Sequence, residues 1–162
     1  RQMCIRDRSN MVQIEAKREK MLFYKGTGDG CMLTFPEPEN AARAAIGIMQ
    51  RVSGSNSGKP EGRQLRLRMG IHFGQVNIDS SGDRQGTAVN FAARIEEVKA
   101  SQRAMSDSEA EAPPLKAFDR ILISEVVHDE LKGKPEFKTR QLGYFNFQGI
   151  KGLHQVFQLA WR

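Results

Sequence analysis

One carboxylate stands among glycines in the stretch "FYKGTGDGCMLTF", Phe23 to Phe35, where Asp29 lies between Gly28 and Gly30. A carboxylate with bare backbone on both sides can approach a hard cation or a phosphate-bearing ligand closely. The same letters also spell a turn, because Asp-Gly between two apolar runs is a strong hairpin signal, and on local grounds alone the turn reading outweighs the chemical one. The run is not a nucleotide fingerprint of the usual kinds. It lacks G-x-G-x-x-G, lacks G-K-[ST], and leads into a strand rather than a helix.

A second group lies in "DRQGTAVNFAARIE". Asn90 and Arg94 are four residues apart, so on a helix they share a face, away from the apolar stripe Ala88, Phe91, Ala92, Ile95 and Val98. An amide and a guanidinium on one face present donors to a phosphate or a planar partner. The plainer alternative is a solvated polar face with Arg94 paired to Glu96 or Glu97, and Asp83 as turn punctuation ahead of the helix. Cys4 and Cys31, with His72, His128 and His154 scattered singly, form neither a disulfide framework nor a zinc-ligand spacing.

The elements that position these residues follow from periodicity. A charged helical stretch opens at Ser9, two short strands flank the glycine turn, and Ala41, Ala45, Ile48 and Val52 fall at helical spacing. "SGSNSGKPEG" reads as a loop. Leu65 to Phe73 alternates strictly and predicts a strand, "QVNI" a further strand, and Thr87 to Lys99 a helix. "ASQRAMSDSEAEAPPLKAF", at about residues 100–118, reads as an inserted loop. "RILIS" is a strand, "EVVHDEL" a short helix, and the C-terminal "FKTRQLGYFNFQG" and "HQVFQLAW" a closing hairpin. The fold class is therefore α+β, with helices packed on one face of a largely antiparallel sheet.

The chain of 162 residues has room for one domain with a core, and 39% hydrophobic with 27% charged residues is the composition of a globular protein. No apolar run is long enough to cross a bilayer, which predicts a cytoplasmic protein or the cytosolic part of a membrane protein. The formal charge is +6, of which the first eight residues, "RQMCIRDR", supply +2. That string has no initiator Met and no periodicity and resembles translated sequencing-adapter residue, so residues 1–8 are read as a non-native leader and 9–162 as one partial domain. The basic strand around Arg66 and Arg68 has no exposed aromatics interleaved for base stacking, which disfavours a nucleic-acid partner.

In order and spacing, "KGTGDG", "LRLRMGIHFGQV", "DRQGTAVNFAARIE", "RILIS" and the terminal hairpin resemble the catalytic domain of class III adenylate/guanylate cyclases, from about Met21 to the C-terminus. The resemblance implies the ferredoxin-like palm of that family and a phosphorus-oxygen lyase that makes cyclic AMP and pyrophosphate from ATP. By the same resemblance Asp29 matches a ligand of two Mg2+ or Mn2+ ions, Lys25 and Asp83 the pair that reads the base, Asn90 the residue that orients the ribose, and Arg94 the one that stabilises charge on the α-phosphate. It further implies a homodimer with shared active sites, and fusion to or regulation by other domains.

Three departures stand beside the match, one of them the loop at about residues 100–118, which is longer than the family's usual connection. The D-x-x-G-[FY]-[ST] segment on the opening strand, which carries the family's first metal aspartate, is absent, so the chain is read as a fragment, inactive as given and with an exposed sheet edge. Near the end, Gln148 stands where the family often has lysine, leaving Lys151 as a weak phosphate candidate. The alternative is a non-catalytic, cyclase-like nucleotide-binding or regulatory module.

Overall fold

The computed structural model describes the backbone of residues 2–104 and 113–162, and their side chains from Arg8 onward. Residues 105–112, the middle of the predicted inserted loop, lie outside the described residues. The chain divides into two compact units, Arg1–Arg66 with Trp161–Arg162, and Leu67–Ala160.

In the first unit α1 (Gln2–Arg18) precedes a hairpin of β1 (Phe23–Gly26) and β2 (Cys31–Thr34), followed by α2 (Pro38–Asn56). The helix expected from Ser9 thus starts earlier, because no residue from Gln2 to Arg8 is a glycine or proline that would stop it. Helices α1 and α2 are joined by ion pairs from Glu19 to Arg43 at 3.1 Å and Glu15 to Arg51 at 3.6 Å, with Gly47 leaving room for the Glu15 side chain. Pro38 and Glu39 start α2, through a fixed φ and a charge favourable at the positive helix end. Its C-terminus is a correction: the helix takes in Ser53 to Asn56, the first part of the predicted loop. Asn56 then hydrogen-bonds both the N–H and the carbonyl of Leu65 at 2.8 Å, so the helix end serves as an anchor for the returning chain.

In the second unit a four-stranded sheet has the order β3 (Arg68–Ile71), β6 (Arg120–Ser124), β8 (Leu153–Leu159), β7 (Thr139–Asn146). Only β3 and β6 run parallel; the β6–β8 and β8–β7 pairs are antiparallel, the last with a bulge between Gln141 and Gly143. The long alternating strand predicted from Leu65 shrinks to four residues. Leu67 bonds instead to Asp119, whose left-handed backbone (φ 57°) turns the chain just ahead of β6. β4 (Asn77–Ile78) pairs with β5 (Arg84–Gln85) in a separate small ribbon that the sequence did not announce as a pair.

Helix α3 (Thr87–Glu96) packs on β3 and β6, and α4 (Glu125–Leu131) on β6 and β8. α3 stops at Glu96 rather than Lys99, yet Val98 stays fully buried beyond its end. The core of this unit joins Ile95 and Val98 to Leu122, Leu142, Phe145, Phe147 and Val156, with Phe91 packed against it. α4 is capped by Ser124, whose hydroxyl accepts from the Val127 N–H at 3.3 Å.

Candidate active site

The predicted site residues fall in both units. Lys25 lies on β1 opposite Met32, and Asp29 sits at the hairpin tip, where Thr27 N–H donates to the Gly30 carbonyl at 2.9 Å to close the turn. Gly28 takes φ 84°, a conformation that glycine adopts without cost. Both Lys25 and Asp29 are exposed. The Asp29 backbone carbonyl accepts from the Arg8 guanidinium at 2.7 Å, and its carboxylate has no hydrogen bond among the described residues. Mg2+ is commonly held by one or two carboxylates plus the phosphates of a substrate, and one exposed carboxylate on bare backbone fits that donor set. Among the described residues no group of three or more His, Cys, Asp or Glu side chains could hold a metal ion by itself.

In the second unit Asp83 closes the turn between β4 and β5. Its carboxylate accepts from the Arg84 N–H at 2.8 Å, and its backbone carbonyl accepts from Asp79 N–H at 3.0 Å. Asp79 organises this turn. Its carboxylate accepts from the N–H and hydroxyl of Ser81, from Asp83 N–H and from Gln85, and the bonds from Ser81 and Asp83, led by the Ser81 hydroxyl, hold it below the usual carboxylate range.

Asn90 and Arg94 project from α3, Asn90 exposed and Arg94 paired with Glu97, one of the two partners that the plainer reading allowed. Their placement depends on how α3 sits. A Cβ at Gly70 would come within 2.5 Å of the Ala92 carbonyl oxygen and 2.6 Å of the Glu96 nitrogen, and one at Gly74 within 3.0 Å of the Ala88 Cβ. The two glycines of "RMGIHFG" and the small residues Ala88 and Ala92 are therefore one packing surface: strand and helix backbones nearly touch, and the polar face of α3 is turned out.

Two contributors were not singled out from the sequence. His72, two residues beyond Gly70, lies tilted against Phe91 with ring centroids 4.3 Å apart, and its Nδ1 meets the Ser124 hydroxyl at 2.9 Å. Burial first, and then His154, push its pKa down. Together with Gly74, Gln75, Thr87, Ala88 and Phe91 it lines a shallow cleft of about 340 Å³, which includes neither Asn90 nor Arg94. Arg120 at the head of β6 is the other: 2% exposed, it donates to the carbonyls of Glu96, Val98 and Lys116. A lone arginine before an apolar run carries no sequence signal of that role. Lys151 and Gln148 are exposed, and the Lys151 carbonyl accepts from His154 Nε2 at 3.0 Å.

No family model matches the chain. A Rhizobium meliloti protein named "Putative adenylate cyclase 3" is 30% identical over 128 residues, 79% of this chain but 19% of that protein, so the chain spans about a fifth of the relative's length. An adenylate/guanylate cyclase/hydrolase from Silicibacter pomeroyi superposes with a TM-score of 0.74 at 24% identity, over 94% of this chain and 80% of its own. The catalytic core of a rhodopsin-guanylyl cyclase with converted specificity, in complex with ATPαS, gives 0.70 at 22% identity, over 96% of this chain and 80% of its own. No helix among the described residues is long and apolar enough to cross a membrane.

Proposed function

From a chain that carries the sequence pattern and the α+β fold of class III nucleotide cyclase catalytic domains, we propose a nucleotide cyclase domain that converts ATP to cyclic AMP and pyrophosphate at a site shared by two copies. The ribose 3′-oxygen attacks the α-phosphorus in line, the bond to the β-phosphate oxygen breaks, and the 3′ proton leaves to solvent. Two divalent ions, Mg2+ or Mn2+, supply a lowered pKa for the attacking hydroxyl and a clamp on the leaving phosphates, with Asp29 as this chain's ligand. Asn90 orients the ribose. Arg94, released from Glu97, contacts the α-phosphate of the bound nucleotide and answers the further charge that grows there in the transition state, a contribution that typically amounts to about 2.7 to 4 kcal/mol for a transition-state donor.

ATP rather than GTP is favoured by chemistry at the base. Adenine presents an acceptor at N1 and a donor amino group at N6, matched by the Lys25 ammonium and the Asp83 carboxylate. Guanine would set its N1 hydrogen against Lys25 and its O6 against Asp83. The observation that carries the proposal is the seating of α3 on Gly70 and Gly74, which holds Asn90 and Arg94 one turn apart on the outward face. The pairing of Arg94 with Glu97 favours one other reading, a cyclase-like module that binds nucleotide without turning it over.

The test is to recover the coding sequence upstream of Ser9, express the extended domain, and assay cyclic AMP from Mn-ATP. Production of cyclic AMP from ATP in excess over cyclic GMP from GTP, lost in Arg94→Ala, is the expected result. Nucleotide binding with no cyclic product from an upstream segment that lacks the aspartate would establish the non-catalytic reading instead.

A further inference from the structure

We propose that Arg120 is the positioning residue for Arg94, setting the end of α3 from which the phosphate contact projects; the inference rests on the reading of Arg94 given above. Nη2 of Arg120 donates to the carbonyls of Glu96 at 2.9 Å and Val98 at 2.7 Å, while Nη1 donates to Lys116 at 2.8 Å. Glu96 is the last residue of α3, and its carbonyl belongs to the set that a helix terminus leaves without an intrahelical partner. A guanidinium there satisfies that oxygen and complements the negative end of the helix dipole. The Glu96 side chain is tied separately to Arg68 of β3, at 3.0 Å. The last turn, which contains Arg94, is thus held to β6 through its backbone and to β3 through a side chain.

Stability alone is a poor account of this arrangement. Burying a guanidinium carries a desolvation cost, seen in its lowered pKa, for which burial is the first cause and neighbouring Arg68 the second. Its Nε is buried with no partner, a further cost. Well-packed apolar residues often replace buried charges without loss of stability. What an apolar residue cannot do is define where three carbonyls from two segments lie relative to β6. Packing of Ile95 and Val98 fixes the depth of α3; the guanidinium fixes the orientation of its end.

The experiment measures binding of ribose-labelled fluorescent ATP, with Mn2+, to the full chain, its Arg94→Ala, Arg120→Lys and Arg120→Met variants, and the Arg94→Ala double variants. Ribose-labelled adenosine serves as the probe without phosphates. Loss of the charged Arg94 contact should weaken ATP binding about tenfold. Arg120→Lys, which keeps the charge but not the fork, should weaken ATP binding severalfold, leave adenosine binding unchanged, and add no loss in the Arg94→Ala background. If Arg120→Met fails to fold, judged by circular dichroism, Arg120→Lys carries the test alone. Equal weakening of ATP and adenosine, full additivity with Arg94→Ala, or parental ATP binding by Arg120→Lys would each overturn the positioning role. Parental ATP binding by Arg94→Ala would instead overturn the reading of Arg94 itself, and the proposal with it.

Discussion

His72 shows how a single half-buried side chain links packing to pH. Its ring lies against Phe91, its Nδ1 is engaged by Ser124, and His154 packs on the same phenylalanine with ring centroids 5.1 Å apart. Charging this imidazole means charging it in a poorly solvated place beside a second imidazole, so its folded pKa falls below the ordinary value of about 6.5. A depressed folded pKa means that the unfolded chain binds the proton more readily. The contribution to stability is then fully present above about pH 6.5 and is lost as the pH falls toward the folded value. Thermal melts from about pH 5 to pH 8 at fixed ionic strength should show a loss on acidification that is smaller in His72→Gln than in the parent. Equal slopes would show that the ring is as easily charged in the folded chain as in water. The Arg94 pair with Glu97 belongs at this scale as well. Exposed ion pairs on a helix contribute about 0.3–0.5 kcal/mol, so the pair is a resting partner that a phosphate can displace rather than a structural tie.

Among the elements, α3 on β3 matters most to the site, and its glycines make the contact testable. Gly70→Ala pushes a methyl into the backbone of α3, at Ala92 and Glu96, where nothing flexible can give way. It should cost about 1–3 kcal/mol and displace Arg94. Gly74→Ala meets side chains rather than backbone, the Ala88 methyl at 3.0 Å and the His72 ring at 3.7 Å, and should cost less. Chemical denaturation of the two variants checks the order, and a Gly70→Ala variant as stable as Gly74→Ala would mean that α3 is not seated as described. The apolar stripe of α3, the hairpin around Asp29 and the β7–β8 pair were legible because each is written in its own residues, as a 3.6 or a 2.0 period or a glycine turn. Element ends were not. Asn56 replaces ladder bonds at Leu65, Asp119 turns the chain before β6, and Val98 stays in the core after α3 has ended, all of which depend on partners distant in sequence. Arg120 was illegible for the same reason, since the carbonyls of Glu96 and Val98 lie more than twenty residues away. The chemical roles proposed for Lys25, Asp29, Asp83, Asn90 and Arg94 rest on family resemblance; residue type alone left a turn aspartate and a solvated arginine as the better readings.

At the scale of the whole molecule, the shared-site proposal divides the chemistry between two copies of the chain. A shared site between two copies assigns Asp29 of one copy to the metal and Arg94 of the other to the phosphate. Lys25 and Asp29, although four residues apart on one hairpin, then serve different sites. That division has a consequence that a self-contained site lacks. In the extended domain, Asp29→Ala spoils the metal side of both sites in its homodimer, and Arg94→Ala spoils the phosphate side of both. Each variant alone should lose all but a trace of cyclic AMP formation, by about 10² to 10³ for the arginine. Mixed in equal amounts and allowed to exchange subunits, half of the dimers become heterodimers with one intact site and one doubly damaged site, so activity should recover to about a quarter of the parental value when exchange is random. Size-exclusion chromatography of differently tagged variants reports whether heterodimers formed. Heterodimers without recovered activity would place Asp29 and Arg94 in the same site of one copy, and the shared-site arrangement would have to be abandoned.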